Sequence, residues 1–236
     1  MVKFAIVGYR RSHPGAAHFG RKAPMVSTIG ILGAGRVGSA IARTALTAGY
    51  TVHIAGSGPA ADIQLIADIV TPGAVAMTAA DAVATADLVI LAVPLHKYRS
   101  VDPATLADKI VIDTMNYWQP IDGDQHEFTG DARSSSEVVG DYFPGARLVK
   151  TLNHIGYHDL ETDARPAGDP QRHGLALAGD PATAAVVAEV INRFGFDPVY
   201  AGGLEAGAAF EPGSPIFGGR HTAAELAIEL GLAEAA

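Results

Sequence analysis

The hexapeptide Gly33-Ala34-Gly35-Arg36-Val37-Gly38 directly follows an apolar run, residues 28–32, and opens a helical pattern over 37–48. No other segment restricts the fold of this chain so far. Gly33 allows a tight turn, Gly35 lets a pyrophosphate approach the backbone, and Gly38 lets the helix lie close to the strand. The helix start beyond the loop offers free N–H groups and the positive end of its dipole to phosphates. Six residues alone are a weak signal, matched also by an ordinary glycine-rich turn. Here a strand precedes them, a helix follows, and a second strand ends near Ala55, the context that a dinucleotide-binding unit requires.

The alternation continues down the chain. Strand-like runs at 50–55, 75–78, 88–93, 110–113, 147–152, 175–178 and 198–201 alternate with helical patterns at 63–70, 79–86, 100–106, 134–142, 181–194 and 223–232. Continuous Val/Ile/Leu runs mark buried parallel strands. Pro181 in a first turn and Gly195 after a last one bracket one helix. The expected fold class is α/β, a Rossmann-type doubly wound parallel sheet in a single compact domain whose C-terminal half is also α/β. Residues 27–118 form the dinucleotide half and 119–236 the acceptor-side half, opening with a polar loop at 119–133. No Ser/Gly linker, repeat or charge block divides them.

Residues 1–26 read differently. Lys3, Arg10, Arg11, Arg21 and Lys22 stand without an acid among them, and 10–24 shows no period. A signal peptide does not fit, because the apolar stretch 4–7 falls short of the roughly 7–15 residues required. The segment is expected to be a dispensable basic extension ahead of Met25; a basic arm docked on the acidic body is the alternative. A chain starting at Met25 is expected to keep its Tm and its nucleotide affinity. The protein as a whole holds 17 Lys plus Arg against 25 Asp plus Glu, a poor match for nucleic acid. It has no cysteine, which removes disulfides, thiolate nucleophiles and Cys-ligated metal centres. The longest clean apolar run, 88–93, is far shorter than the ~20 residues of a membrane span. A cytoplasmic, metabolite-scale protein is expected.

The end of the second strand bears on which dinucleotide is held. A ribose diol calls for an acid about 20 residues beyond the glycine loop. This sequence offers Gly56-Ser57-Gly58, with no acid until Asp62. A neutral turn leaves room for a 2′-phosphate, Ser57 can donate to it, and Arg36 is the nearest obvious cation. NADP(H) is expected to bind more tightly than NAD(H).

Together with the glycine loop and the Gly56-Ser57 turn, four further segments complete a pattern: Val89–Pro94, Asp113–Asn116, the run Ser134–Glu137, and Leu148-Val149-Lys150-Thr151-Leu152-Asn153-His154-Ile155. From residue 28 to about 204 the chain resembles the F420-dependent NADP reductase family. The resemblance implies an NADP-dependent oxidoreductase that transfers hydride between NADP(H) and a deazaflavin (F420) or flavin-like acceptor. It places Ser57 and Gly58 at the 2′-phosphate and Val93, Pro94, Leu95 and His96 along the ribose and nicotinamide. Asn153, His154, Ile155 and Tyr157 would face the nicotinamide and the second ring, with Asn153 and His154 as the catalytic candidates. The family often carries Ser-Arg where this chain has Ser57-Gly58. Its polar segment near the C-terminus corresponds here to Gly203-Leu204-Glu205-Ala206-Gly207.

Other features carry two readings. His154 and His158 have metal-ligand spacing beside Asp159, but Gly156 interrupts the helix, and pocket polarity is the plainer account; no metal is expected. Lys97 and Arg99 either reach a cofactor phosphate or line a solvated helix start. Asn116-Tyr117-Trp118 follows a buried strand at its carboxyl end, where open α/β sheets bind ligands, so Asn116 is placed in the site and Trp118 is pocket wall or core. Hydride transfer needs a near-attack distance and a dry cavity more than it needs acids or bases. Donors from the 153–156 backbone or the His154 ring would stabilise charge on the accepting ring. A non-enzymatic NADP(H)-binding redox sensor and a β-hydroxyacid dehydrogenase-like enzyme are the rival functions. The partner is expected to be a small redox molecule, and the protein a homo-oligomer.

Overall fold

A computed structural model of the chain describes residues 25–129 and 133–234; the basic extension read from the sequence lies outside them up to residue 24. Among the described residues the strands are β1 (Thr28–Leu32), β2 (Thr51–Ala55), β3 (Val75–Met77), β4 (Leu88–Leu91), β5 (Ile110–Asp113), β6 (Arg147–Lys150), β7 (Gly174–Gly179) and β8 (Asp197–Gly202). They form one sheet in the order β3-β2-β1-β4-β5-β6-β7-β8. The first six run parallel, so the strand order reverses between β1 and β4, where such sheets open a crevice at their carboxyl edge.

The helices are α1 (Arg36–Thr47), α2 (Ala60–Val70), α3 (Ala79–Thr85), α4 (Gln119–Asp122), α5 (His126–Thr129), α6 (Ser135–Tyr142), α7 (Asp159–Thr162), α8 (Pro181–Phe194) and α9 (Ala223–Glu229). Strands β4 and β5 are buried along their whole length, because helices cover both faces. One core lies on the side of α1 and α8, around Ile31, Ile41, Ile54, Ile90, Val187 and Phe194. The other lies beneath α3 and α6, around Val83, Leu91, Tyr98, Val139 and Phe143.

Two features depart from the expected pattern. Strand β7 runs antiparallel to β6, pairing only through Val149 with Gly179 and Lys150 with Ala178. The chain leaves β6 at the carboxyl edge and enters β7 from the same edge, without the helical return that a parallel entry needs. The first residues of β7 therefore project beyond the end of β6. Residues 95–106, expected to hold one helix at 100–106, form two 3₁₀ turns, Leu95–Ser100 and Pro103–Leu106, divided where Pro103 withholds its N–H and Asp102 caps Ala104.

Candidate nucleotide and acceptor site

The glycine loop is anchored where it leaves β1 to the chain ends of the two neighbouring strands, β2 and β4: Gly33 N–H donates to Ala55 O at 2.8 Å and Ala92 N–H to Leu32 O at 2.9 Å. Gly33 has a φ of 122°, and a Cβ there would collide with the Ala92 carbonyl. A Cβ on Gly38 would collide with Gly33 O, so this glycine sets how closely α1 approaches the turn. Gly35 differs, because a Cβ built on it meets nothing within 4 Å and points into open space. Helices α3, α6, α8 and α9 close their own N-termini with Thr78, Ser134, Asp180 and Thr222. Helix α1 starts at Gly35 with no side-chain cap and no acid in its first turn. Uncapped N–H groups beneath open space fit a pyrophosphate. Arg36 and Val37 are exposed on the same turn, and Ala34 packs on the first core.

Beyond β2, Ser57 is exposed and Gly56 packs on Ile63, whose Cγ2 would lie 2.8 Å from a Cβ at that position. Helix α2 brings Asp62 back over the turn. A Cβ on Gly58 would sit 2.7 Å from Asp62 Oδ2. The linear sequence shows this turn as free of acid; the fold places a carboxylate on it.

Beyond β4, Val93 is half-buried and Pro94 exposed, while the Leu95 side chain turns into the second core instead of lining the crevice. His96 is tied to Asp122: its N–H and its Nδ1 approach Asp122 Oδ1 at 3.3 and 2.9 Å, and Trp118 N–H donates to Asp122 Oδ2 at 2.8 Å. Asp122 thus joins the loop after β4 to the loop after β5. Trp118 is half exposed, which removes the core reading for it. Arg99 pairs with Glu127 of α5, so its charge is spent away from the crevice.

The loops after β5 and β6 are locked by two amides. Asn116 Nδ2 donates to Asn153 O at 2.7 Å, and Asn153 Nδ2 donates to Asn116 Oδ1 and to Phe210 O, each at 3.0 Å. Between β6 and Asn153 stands Leu152, a buried non-glycine residue at φ 63°. That conformation costs roughly 1–3 kcal/mol and makes the sharp turn that presents Asn153 to Asn116. Beneath them Lys150 is fully buried, donating to Met115 O, Ser135 Oγ and Ser136 Oγ, with Glu211 3.4 Å away. Asp113 accepts from Ser136 Oγ at 2.6 Å. In the sequence, Asp113, Ser135, Ser136 and Lys150 stand out only within longer runs, and Glu211 not at all, because it arrives from 61 residues beyond Lys150.

His154 is read from the sequence as a donor to the acceptor ring; the structure gives its ring to the protein itself. Nε2 accepts from Ala176 N–H of β7 at 3.1 Å, which leaves the proton of the neutral ring on Nδ1, 3.2 Å from Asn153 Oδ1. Phe210 packs edge-on against it. Burial, reinforced by the nearby Lys150 and His221 charges, pushes its pKa down to about 3. Because the folded value lies below the ordinary one of about 6.5, the neutral ring contributes stability that is fully present above that ordinary value. It is lost as pH falls toward the folded value, since the unfolded chain takes up a proton the folded chain refuses. The His154 ring signals in an NMR titration are expected to stay constant from roughly pH 5 to 8. A midpoint near the ordinary histidine value would contradict this. Ile155 packs partly on the first core, Tyr157 is half-buried with its ring tilted on His158, and His158 itself is exposed. Among the described residues no group of three or more His, Asp or Glu is placed to hold a metal ion, and no helix is long and apolar enough to cross a membrane.

Residues 28–117 match the family model of NADP oxidoreductase, coenzyme F420-dependent. No curated protein sequence matches the chain. Among solved structures, a hypothetical protein from Sinorhizobium meliloti is 29% identical, with a TM-score of 0.70 over 84% of this chain and 96% of that one. A candidate F420-dependent NADP-reductase from Arthrobacter sp. FB24 is 24% identical, with a TM-score of 0.63 over 78% of this chain and 88% of that one. An imine reductase from Myxococcus stipitatus in complex with NADP+ is 18% identical, with a TM-score of 0.56 over 78% of this chain and 57% of that one. The last two likenesses are likenesses of fold. The segment that carries the glycine loop, residues 28–117, is thus similar to the coenzyme F420-dependent NADP oxidoreductases.

Proposed function

We propose that this protein is an oxidoreductase that passes a hydride between a nicotinamide dinucleotide, NADP(H) in the family that residues 28–117 match, and a flat deazaflavin (F420) or flavin-like acceptor. One observation carries the reading. The uncapped α1 N-terminus under open space and the Asn116–Asn153 lock stand on the same carboxyl edge of the sheet, three strand spacings apart. That is roughly 14 Å, a span that a ribose, a nicotinamide ring and a stacked second ring would cross. Residues Ala34 to Gly38 would hold the pyrophosphate, Ser57 and Gly58 the adenosine ribose, and the backbone from Val93 to His96 the nicotinamide side. Ile155 and Tyr157 would form the floor of the acceptor position.

The bound nucleotide supplies the hydride; the chain supplies placement. Asn153 and His154 have their polar atoms engaged within the protein, so they act as positioning residues that hold the segment after β6 in one shape. No side-chain acid is needed, which agrees with a transfer governed by distance and water exclusion. We place the protein in the cytoplasm, as a homo-oligomer with a small-molecule redox partner. The β-hydroxyacid dehydrogenase reading is disfavoured, because the second half adds β7, α8 and β8 where that class continues as an all-helical domain. Titration of the protein, saturated with oxidised nucleotide, against F420, FMN and FAD tests the acceptor side. Saturable binding of at least one is expected; binding of none favours the sensor.

A further inference from the structure

The turn after β2 is where an adenosine ribose is told apart from its 2′-phosphorylated form. A carboxylate there accepts from the ribose diol, whereas a cation takes the phosphate. Asp62 belongs to the first turn of α2, yet its carboxylate covers Gly58, with Oδ2 2.7 Å and Cγ 3.7 Å from where a Cβ would be. Glycine and carboxylate form one device. Any side chain at position 58 would displace Asp62.

Among the described residues, neither the turn nor the elements on either side of it, β2 and α2, carry a Lys or Arg. From Arg43 to Lys97 the chain has no Lys or Arg, and over β2, α2, β3, α3 and β4 it carries Asp62, Asp68, Asp81 and Asp87 instead. Arg43 is committed to Glu161. His53 is committed to Thr85. Arg36 belongs to the start of α1, not to the turn after β2. Asp62 is exposed, and no described side chain hydrogen-bonds or ion-pairs with it, so its carboxylate is available to a ligand.

We propose that Asp62 is the specificity-determining residue of the adenosine-ribose subsite. Its carboxylate accepts from the 2′,3′-diol of NAD(H), and the site therefore holds NAD(H) at least as tightly as NADP(H). A 2′-phosphate would bring a second negative charge against Asp62 with no Lys or Arg in the turn or in α2 to offset it, while the diol gains charge-assisted hydrogen bonds. The inference rests on the dinucleotide reading of the glycine loop and is independent of the acceptor.

Calorimetric titration of the parent protein, Asp62→Asn and Asp62→Lys with NADH and NADPH tests it. The parent is expected to bind NADH as tightly as NADPH or more so. Asp62→Asn keeps the shape and removes the charge, and should move the affinity ratio toward NADPH by about tenfold, the worth of one charge-assisted bond. Asp62→Lys should move it further, to about a hundredfold. A parent protein that prefers NADPH by more than about tenfold, or an Asp62→Asn ratio equal to the parent's, overturns the inference and leaves the oxidoreductase reading intact. Failure of the parent to bind either nucleotide overturns both. A ratio that shifts as expected, in a protein that passes hydride to no acceptor, supports this inference and removes only the acceptor reading.

Discussion

Replacing Gly35 with valine is expected to lower the affinity for either nicotinamide nucleotide by ~100-fold or more while leaving the melting temperature unchanged. The two halves of this expectation have separate physical origins. Gly35 has extended, non-strained backbone angles and open space where a Cβ would lie, so valine fits the folded chain. The same space is the approach to the uncapped N–H groups of α1. Filling it costs a ligand its charge-assisted bonds, each worth about 1.5–3 kcal/mol, and two of them account for the loss. Gly38→Ala should behave in the opposite way. Its Cβ has no room against Gly33 O, so the variant loses stability before affinity can be read. Paired thermal melts and titrations distinguish the two. A Gly35→Val protein that binds as the parent does would remove the loop from the site.

Asn153→Asp is expected to destabilise the protein by ~3–5 kcal/mol, because it is nearly isosteric and yet reverses the polarity of a buried atom. The Asn153 Nδ2 donates to Asn116 Oδ1 and Phe210 O, both 3.0 Å away. A carboxylate oxygen in its place faces two acceptors and leaves both unpaired. For a chain of this size the loss corresponds to a fall in Tm of about 10 °C. The deficit relative to the parent should shrink as pH falls, since a protonated carboxyl regains one donor. Equal melting temperatures near neutral pH would show that the lock between the two loops contributes little.

The parts of the fold that were legible in the sequence are those decided over short distances. Residues 28–32, 110–113 and 181–194 fall where the apolar runs, Pro181 and Gly195 put them. The glycine loop was legible for the same reason: turn, approach and packing are each set by one residue within six. The direction of β7 was not, because it depends on which sheet edge the chain occupies on leaving α7, and no local pattern records that. The inward orientation of His154 was hidden similarly. A histidine four residues past a strand reads alike whether it faces a crevice or the N–H of Ala176. Asp62 was visible as a residue but not as a neighbour of Gly58, since only the first turn of α2 returns it to the turn it follows. Leu152 gave no signal at all, because a left-handed leucine is imposed by its surroundings.

In the proposed reaction, nucleotide and acceptor meet at one carboxyl edge so that a hydride can cross between them. Anaerobic stopped-flow mixing of the protein, preloaded with reduced nicotinamide nucleotide, against F420, FMN and FAD tests it most directly. The account predicts single-turnover loss of the nucleotide absorbance matched by reduction of at least one acceptor, at a rate that saturates with acceptor concentration. Stoichiometric nucleotide binding with no oxidation by any of the three would contradict it.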